Sequence, residues 1–393
     1  MRLLNFSTLY PSSVAPGHGV FVEQRLRHLA ATGQVEQRVV APVPWFPFGH
    51  PLFGQYARYA RVPHQEQRHG LQVSHPRYLT IPRIGMSAAP LLLAAAARPA
   101  LGHLRKQGYD FDLIDAHYFY PDGVAAVLLG QWFNRPVVIT ARGTDINFIP
   151  QYRLPRHLIR WAAARAAGII TVCQALKDTL VELAVPAAKI TVLRNGVDTR
   201  LFHPVDREAV RARLGLAGTV LLSVGYLIER KGHDIIIRAL PELPQARLLI
   251  AGEGPEERAL RALAQSLGVE GRVTFLGAIP QDELKNYYSA ADILVLASSR
   301  EGWANVLLEA MACGTPVVAT NVWGAPEIVQ TPAAGILMEA RTPPALVRAV
   351  QGLLAHYPDR QATRRYAEQF SWDDTTEGQL ALFRDILARK EQR

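Results

Sequence analysis

Short runs of β-branched and aliphatic residues recur along this chain, each closing on Gly, Ser, Asp or Pro and several followed by a segment with helical spacing. The first, "MRLLNFSTLY", leads through a Gly-containing loop into "VFVEQRLRHLAATG"; "QRVVAPVP", "DLIDAHY", "PVVITARG", "GIITVC" and "KITVLRNG" follow. Apolar runs without polar alternation suit strands buried on both faces. Strands that alternate with helices need crossover connections, which are right-handed and build a mostly parallel sheet.

A fresh cycle opens near residue 219. "TVLLSVGYL", "ARLLIAGEG", "RVTFLGAI", "DILVLASS", "TPVVAT" and "AGILME" read as strands. "GHDIIIRALPEL", "PEERALRALAQSLG", "QDELKNYYSAA" and "WANVLLEAMACG" read as the helices between them. The sequence therefore predicts an α/β protein of two doubly wound, Rossmann-like domains in tandem, residues 1–200 and 201–372. The join falls around "NGVDTRLFHPVDREAV" (195–210), where apolar periodicity lapses. "FSWDDTTEGQLALFRDILARK" is a separate helical pattern after the last strand, and residues 373–393 are expected to pack back on the first domain. A length of 393 residues agrees, since single cores stop growing at roughly 250–300 residues. Open α/β sheets bind ligands beyond the carboxyl ends of their strands. The loops just after strands are thus the ones to search, and two such domains face to face would enclose a deep cleft.

Composition narrows the function. Apolar residues make up 49%, enough for two cores. Cys173 and Cys313, with apolar neighbours, cannot frame a disulfide scaffold and read as core residues, so a reducing cytoplasm is the default compartment. The most apolar window, "PLLLAAAARPAL" (90–101), is broken by Arg98 and Pro99 and is too short to span a bilayer. The opening residues lack the apolar core and cleavage site of a signal peptide. A formal charge of +9 favours an acidic partner: a nucleotide diphosphate, an anionic lipid or a nucleic acid. No basic run with interleaved aromatics and no zinc-type Cys/His spacing is present, which sets nucleic acid aside.

Three loops carry chemistry. In "SVGYLIERKGHD" (223–234) a strand ends at Gly225, and Arg230 and Lys231 follow before Gly232 and a helix. The planar fork of Arg and the point charge of Lys suit a diphosphate, at a helix N-terminus that favours anions. In "RLLIAGEGPEERAL" (247–260), Gly252 and Gly254 lie between strand and helix. The dinucleotide fingerprint fails there because its third glycine would fall at Glu257. A plain tight turn, or a turn against which a nucleotide packs, both remain. "SSREGWANVLLEAMACGTPVVAT" (298–320) places Glu301 and Glu309 in an otherwise apolar run, where an unpaired buried carboxylate is costly. Glu301 falls on the loop after a strand, which Gly302 keeps close to whatever it covers. Glu309 lies about one turn into a helix that resumes near Asn305. Glu309 can accept two hydrogen bonds from a cis-diol such as a ribose, and Glu301 can hold sugar hydroxyls. The backbone N–H groups of Trp303, Ala304, Asn305 and Val306 would point at anionic oxygens. Taken singly, Glu309 also reads as a capping carboxylate and Glu301 as an exposed loop charge.

"GYLIERKG", "IAGEGP", "FLGAIPQDEL" and the 298–320 stretch, in that order and spacing, resemble the C-terminal half of the retaining glycosyltransferases of family four, which have the GT-B fold. "ITVLRNGVDTRLFHP" is similar to the family's interdomain segment. The resemblance implies a nucleotide-sugar donor held by the second domain, with Glu309 on the ribose, Glu301 on the sugar, Arg230 and Lys231 on the diphosphate, and Ala278 and Ile279 bordering the base. In the first domain, "APGHGVFVEQRLRHLA" carries Gly17 and Gly19 in a loop similar to the one the family keeps near the donor phosphate and acceptor. "DLIDAHYFYPDG" ends a strand at His117, matching the family's active-site histidine close to the transferred sugar. "TARGTDIN" (140–147) follows another strand and resembles bacterial surface-polysaccharide transferases; Arg142, Asp145 and Asn147 are expected to line the cleft. Trp303-Ala304 depart from the Phe-Gly or Trp-Pro that often follows the first Glu-Gly. "DFD" (110–112) matches the metal-binding signature of GT-A transferases, but it precedes a strand and reads as strand entry.

The implied activity is a metal-independent, retaining hexosyl transfer with no cofactor beyond the nucleotide-sugar co-substrate. Arg230 and Lys231 would carry the leaving-group charge, and His117 would position the donor or ease developing charge. The acceptor is a glycan or a lipid-linked species. "PVPWFPFGHPLFGQYARYARVP" (42–63), aromatic-rich with Arg and no acidic residue, reads either as a dock for an anionic membrane at the cytoplasmic inner face or as a packed loop. An epimerase or phosphorylase of the same fold, and a non-catalytic two-lobed sugar-binding protein, stay open on the sequence alone.

Overall fold

The apolar runs become strands of two sheets. The computed structural model describes residues 1–48, 50, 52, 54–80 and 85–392. The chain divides into two units, Met1–Arg194 with Asp373–Arg393, and Asn195–Trp372.

The first unit contains β1 (Arg2–Phe6), β2 (Glu36–Val40), β3 (Val43–Pro44), β4 (Gln65–Arg68), β5 (Leu71–Ser74), β6 (Arg77–Tyr78), β7 (Leu113–His117), β8 (Val137–Ala141), β9 (Gly168–Thr171) and β10 (Ile190–Val192). Eight of them form a sheet in the order β10-β9-β8-β7-β1-β2-β5-β4. Its pairs are parallel except β4 with β5. That hairpin turns at His69 and Gly70, with φ of 47° and 81°, the twist a two-residue hairpin demands. β3 and β6 pair separately.

Side chains alternate along a strand, so Leu113, Asp115 and His117 share one face of β7. On that face Leu3, Leu113, Val138 and Ile170 form a core with Leu380, Phe383 and Ile386 of the helix Trp372–Glu391. The apolar window at 90–101 lies within the helix Gly85–Lys106, which buries Leu93, Ala94, Ala97 and Leu101 as a single stripe. Among the described residues no helix is long and apolar enough to cross a membrane. Within the 42–63 stretch, residues 49, 51 and 53 lie outside the described residues.

The second unit holds β11 (Thr219–Val224), β12 (Ala246–Ala251), β13 (Val273–Gly277), β14 (Ile293–Leu296), β15 (Val317–Thr320) and β16 (Gly335–Met338), all parallel, in the order β13-β12-β11-β14-β15-β16. The strand order reverses between β11 and β14, which makes the loops after these two strands the place for a ligand. Residues 195–200 group with this unit rather than the first. Val197 N–H donates to Phe370 O at 2.9 Å, and Gly196 sits so close to the backbone of Ser371 and Trp372 that a Cβ would lie 2.4 Å from Trp372 N.

Candidate active site

The two loops at the reversal point bring three charged residues together. After β11 the chain passes Gly225 and makes a short 3-10 turn, Glu229–Lys231, before the helix His233–Ala239. Gly232 joins the two at φ 69°, where a Cβ would stand 2.1 Å from Ala297 O; only glycine lets these loops meet. After β14 the chain runs through Glu301 to the helix Asn305–Ala312. Ser299 N–H donates to Arg230 O, and Arg230 Nη1 donates to Arg300 O, each at 2.8 Å. Lys231 Nζ reaches Glu301 Oε1 at 2.6 Å, with Arg230 Nη1 3.7 Å from Oε2. Burial alone would raise the Glu301 carboxyl, but Lys231 and Arg230 outweigh it and hold it below the ordinary value. Glu301 is thus a paired, buried carboxylate and not an exposed loop charge.

Glu309, the fifth residue of its helix, is also buried. Its Oε2 accepts from Tyr288 Oη at 2.8 Å, and Tyr288 is wholly buried. Burial pushes the Glu309 carboxyl up to about 7, against the opposing hydrogen bond. Glu309 caps no helix end. Of the four backbone N–H groups expected to face an anion, that of Asn305 is spent on Trp303 O at 3.1 Å. The Trp303 ring is buried against Phe370, so the first residue of the Trp303-Ala304 pair fills core space. Asn305 Oδ1 accepts from Asn195 Nδ2 at 3.2 Å, and Val306 is half-buried beside it.

The glycines after β12 have a packing role of their own. A Cβ at Gly252 would lie 1.9 Å from Gly225 O, and one at Gly254 2.4 Å from Leu227 O. These turns therefore need glycine to pack against the β11 loop, whatever else they touch. Ala278 is exposed and Ile279 half-buried, just past the edge strand β13.

In the first unit the ends of β1, β7 and β8 are tied by buried polar groups. Ser7 Oγ donates to His117 O at 2.9 Å, and Thr8 N–H donates to Asp122 Oδ2 at 2.8 Å. Burial raises the Asp122 carboxyl to about 8. Asp145 accepts from the N–H groups of Phe119 (2.6 Å), Gly143 (2.7 Å) and Arg142 (3.1 Å). Asp145, expected to line a cleft, is instead turned inward and wholly buried, organising the loop that carries Arg142. Asn147 ends the short helix Thr144–Asn147 and is half-buried. Gly17 is exposed, and Gly19, at φ 71°, starts the helix Val20–Ala31.

His117 is wholly buried. Its Nδ1 is 2.6 Å from Arg142 Nη2, and its Nε2 lies 3.2 Å from Asp115 Oδ2. A guanidinium can only donate, so Nδ1 carries the lone pair and the ring proton sits on Nε2. Burial drives the imidazole down to about 4, against the pull of Asp115, so it is neutral near pH 7. A neutral, buried ring whose Nδ1 lone pair is taken by Arg142 does not act as a free base. "DFD" sits at the entry of β7: Asp110 pairs with Arg135 at 2.6 Å and Arg105 at 2.9 Å, and Asp112 accepts from Arg2 N–H.

Comparison with known proteins agrees with this geometry. Residues 17–201 match the model of glycosyltransferase family 4, and residues 206–370 that of glycosyl transferases group 1. A putative teichuronic acid biosynthesis glycosyltransferase of Bacillus subtilis is 30% identical over 332 residues, covering 82% of each chain. The chain belongs to the family 4 glycosyltransferases. The transferase is also 39% identical over 224 residues to a D-inositol 3-phosphate glycosyltransferase of Mycobacterium leprae, a match that spans 52% of this chain and about half, 52%, of that protein. Its fold is that of the solved sucrose-phosphate synthase of Thermosynechococcus elongatus (TM-score 0.82, 23% identity, 99% of each chain covered). Anabaena HepE, solved in complex with UDP-glucose, shares the fold as well (TM-score 0.71, 21% identity, 100% of this chain and 99% of that one). None of these is an epimerase, a phosphorylase or a binding protein.

Two partners of these buried groups gave no sign in the sequence. Tyr288 hid within an ordinary helical pattern, and Asp115 looked like one polar residue in a strand.

Proposed function

We propose that this glycosyltransferase moves a hexosyl group from a nucleotide-diphosphate sugar to a hydroxyl of a glycan or lipid-linked acceptor, with retention and without a metal ion. The observation that carries this is the Lys231–Glu301–Arg230 cluster at the β11/β14 reversal, with Glu309 following on the next helix. The UDP-glucose in HepE, a protein of the same fold, supports the donor class. A diphosphate arriving at Lys231 competes with Glu301 for its ammonium, so donor binding would release the carboxylate to accept from sugar hydroxyls. Glu309 would accept from the ribose diol. The anomeric carbon–oxygen bond breaks toward an oxocarbenium-like state, and the leaving diphosphate gathers negative charge. Arg230 and Lys231 stabilise that charge. The acceptor oxygen attacks from the face the diphosphate leaves, and its proton passes to a diphosphate oxygen. His117 serves by orientation, not by taking the proton.

Thermal-shift binding of UDP-, GDP- and ADP-sugars and free nucleotides, with the wild type and Glu309→Ala, tests the donor site. One nucleotide should stabilise the wild type alone; no shift with any of them refutes the site. Activity in excess EDTA tests metal independence, and the anomeric configuration of the product tests retention.

We also propose that the enzyme works in the cytoplasm against the anionic inner face of the cell membrane. Trp45, Phe48, Leu52, Leu79 and Leu91 are exposed apolar side chains of the first unit. Residues 37–109 contain nine Lys or Arg and a single acid, Glu66. Such a surface favours anionic lipid. Co-sedimentation with vesicles that does not depend on anionic phospholipid would count against it.

A further inference from the structure

Beneath the strand ends of the first unit runs a line of buried polar side chains that ends on His117. The helix Val20–Ala31 sends in Arg25, 1% exposed, and the returning helix Trp372–Glu391 sends in Gln379, wholly buried. Arg25 Nε donates to Gln379 Oε1 at 3.0 Å, and Gln379 Nε2 donates to Asp115 Oδ2 at 2.8 Å. The same carboxylate oxygen faces His117 Nε2, whose other nitrogen accepts from Arg142.

The middle place in this line has a narrow chemical specification. Toward Arg25 the side chain must accept, because a guanidinium has only donors. Toward Asp115 it must donate, because a carboxylate has only acceptors. A side-chain amide does both; a carboxylate or an ammonium does one. An apolar alternative existed, since Leu380 and Phe383 beside Gln379 pack on Leu113 of the same strand face. Burying polar groups instead is costly unless each is satisfied. Within β7 the polar residues of this face are Asp115 and His117, in the carboxyl-terminal half, where sheets of this kind do their chemistry, and the neighbouring strands add the buried Asn5 and Gln37 to it. At Leu113 the face turns apolar.

We propose that Gln379 is a positioning residue for His117. It fixes the Asp115 carboxylate 3.2 Å from His117 Nε2 and thereby holds the ring, in the tautomer that Arg142 sets, in its place. The inference rests on the proposal that His117 serves the transferred sugar.

Gln379→Glu keeps the side-chain length and the Arg25 bond but replaces the donor facing Asp115 by a lone pair; Gln379→Leu removes both bonds. The primary readout is the imidazole 15N signal of His117 in histidine-labelled protein, assigned with His117→Asn. The wild type should show the Nε2–H tautomer with a single sharp Nε2 resonance, and both variants a shifted and broadened Nε2 resonance as the facing carboxylate moves. With UDP-glucose hydrolysis as the kinetic probe, kcat should fall on the order of 10²-fold with KM within about twofold, as for a misplaced reacting group. Unchanged His117 signals in folded variants overturn the proposal. Gln379→Glu conserves volume and decides the matter if Gln379→Leu does not fold. Wild-type hydrolysis left intact in His117→Asn would instead refute the role of His117 itself, while the Nε2 signal still decides whether Gln379 positions it.

Discussion

The ribose contact proposed for Glu309 would place a titration on donor binding. Its carboxyl is raised to about 7 by burial, only partly opposed by the Tyr288 hydrogen bond. A ribose diol needs the carboxylate as a double acceptor, so only the deprotonated fraction of the protein is competent. With the carboxyl near 7 that fraction is about 0.03 at pH 5.5 and about 0.76 at pH 7.5, so the apparent Kd should tighten about 25-fold over the interval. Affinity rises with pH. The other titrating groups nearby act lower: Glu301 is held below its ordinary value, and burial drives His233 to about 4. Isothermal titration of the nucleotide-sugar selected by thermal shift, at pH 5.5, 6.5 and 7.5, provides the assay. Glu309→Gln still accepts from Tyr288 but cannot ionise, so its binding should be weaker and flat with pH. A flat wild-type profile, or equal slopes in both proteins, would refute the role of Glu309. The linked effect on folding has the opposite sign. The native carboxyl binds its proton more tightly than the unfolded one, at 4.5, so stability falls as pH rises from 4.5 to about 7. The loss approaches about 3 kcal/mol once Glu309 is ionised, and Glu309→Gln should remove it.

Replacing Lys231 by Ala should lower turnover by roughly 10²- to 10³-fold with an unchanged circular dichroism spectrum, as loss of a leaving-group donor does; unchanged turnover would remove Lys231 from the chemistry. Asp145→Ala strands three buried backbone N–H groups and should cost about 3–5 kcal/mol in urea denaturation, with Asp145→Asn between it and the wild type. His117 is held neutral, its imidazole lowered from 6.5 to about 4. Its contribution to stability is therefore complete above pH 6.5 and is lost as pH falls toward 4, by up to about 3 kcal/mol. Denaturation of His117→Asn across that range should show a shallower acid limb than the wild type, and an identical limb would contradict the assignment.

The two parallel sheets were legible because their strands are continuous apolar runs, a pattern that survives without any tertiary information. β4 and β5 were not. "QEQR" and "LQVS" form an edge hairpin with polar residues on its open side, as edges generally do, and its turn is His-Gly instead of the usual Asn-Gly. The motif residues of the second unit were legible because loop chemistry is local: Arg230, Lys231 and Glu301 follow recognisable strands. Their pairing was not, since Lys231 and Glu301 are 70 residues apart. Asp145 could be seen but its direction could not; only the fold turns it toward three backbone N–H groups. Gln379 lies 264 residues from Asp115 and 354 from Arg25, and a lone glutamine on an amphipathic helix looks like surface.

The first unit closes with residues made after the second unit is complete. As the chain leaves the ribosome, Leu3, Leu113, Val138 and Ile170 form a sheet face that Leu29 of the helix Val20–Ala31 covers in part and whose cover is completed when Leu380, Phe383 and Ile386 arrive. The nascent first unit must therefore wait, with a greasy face and an unmatched Asp115, for nearly 180 further residues to be translated. The second unit, continuous from Asn195 to Trp372, has no such delay and is free to fold first. A pause or truncation near residue 372 would leave a chain suited to chaperone capture, and the surroundings of His117 would be the last part of the enzyme to settle.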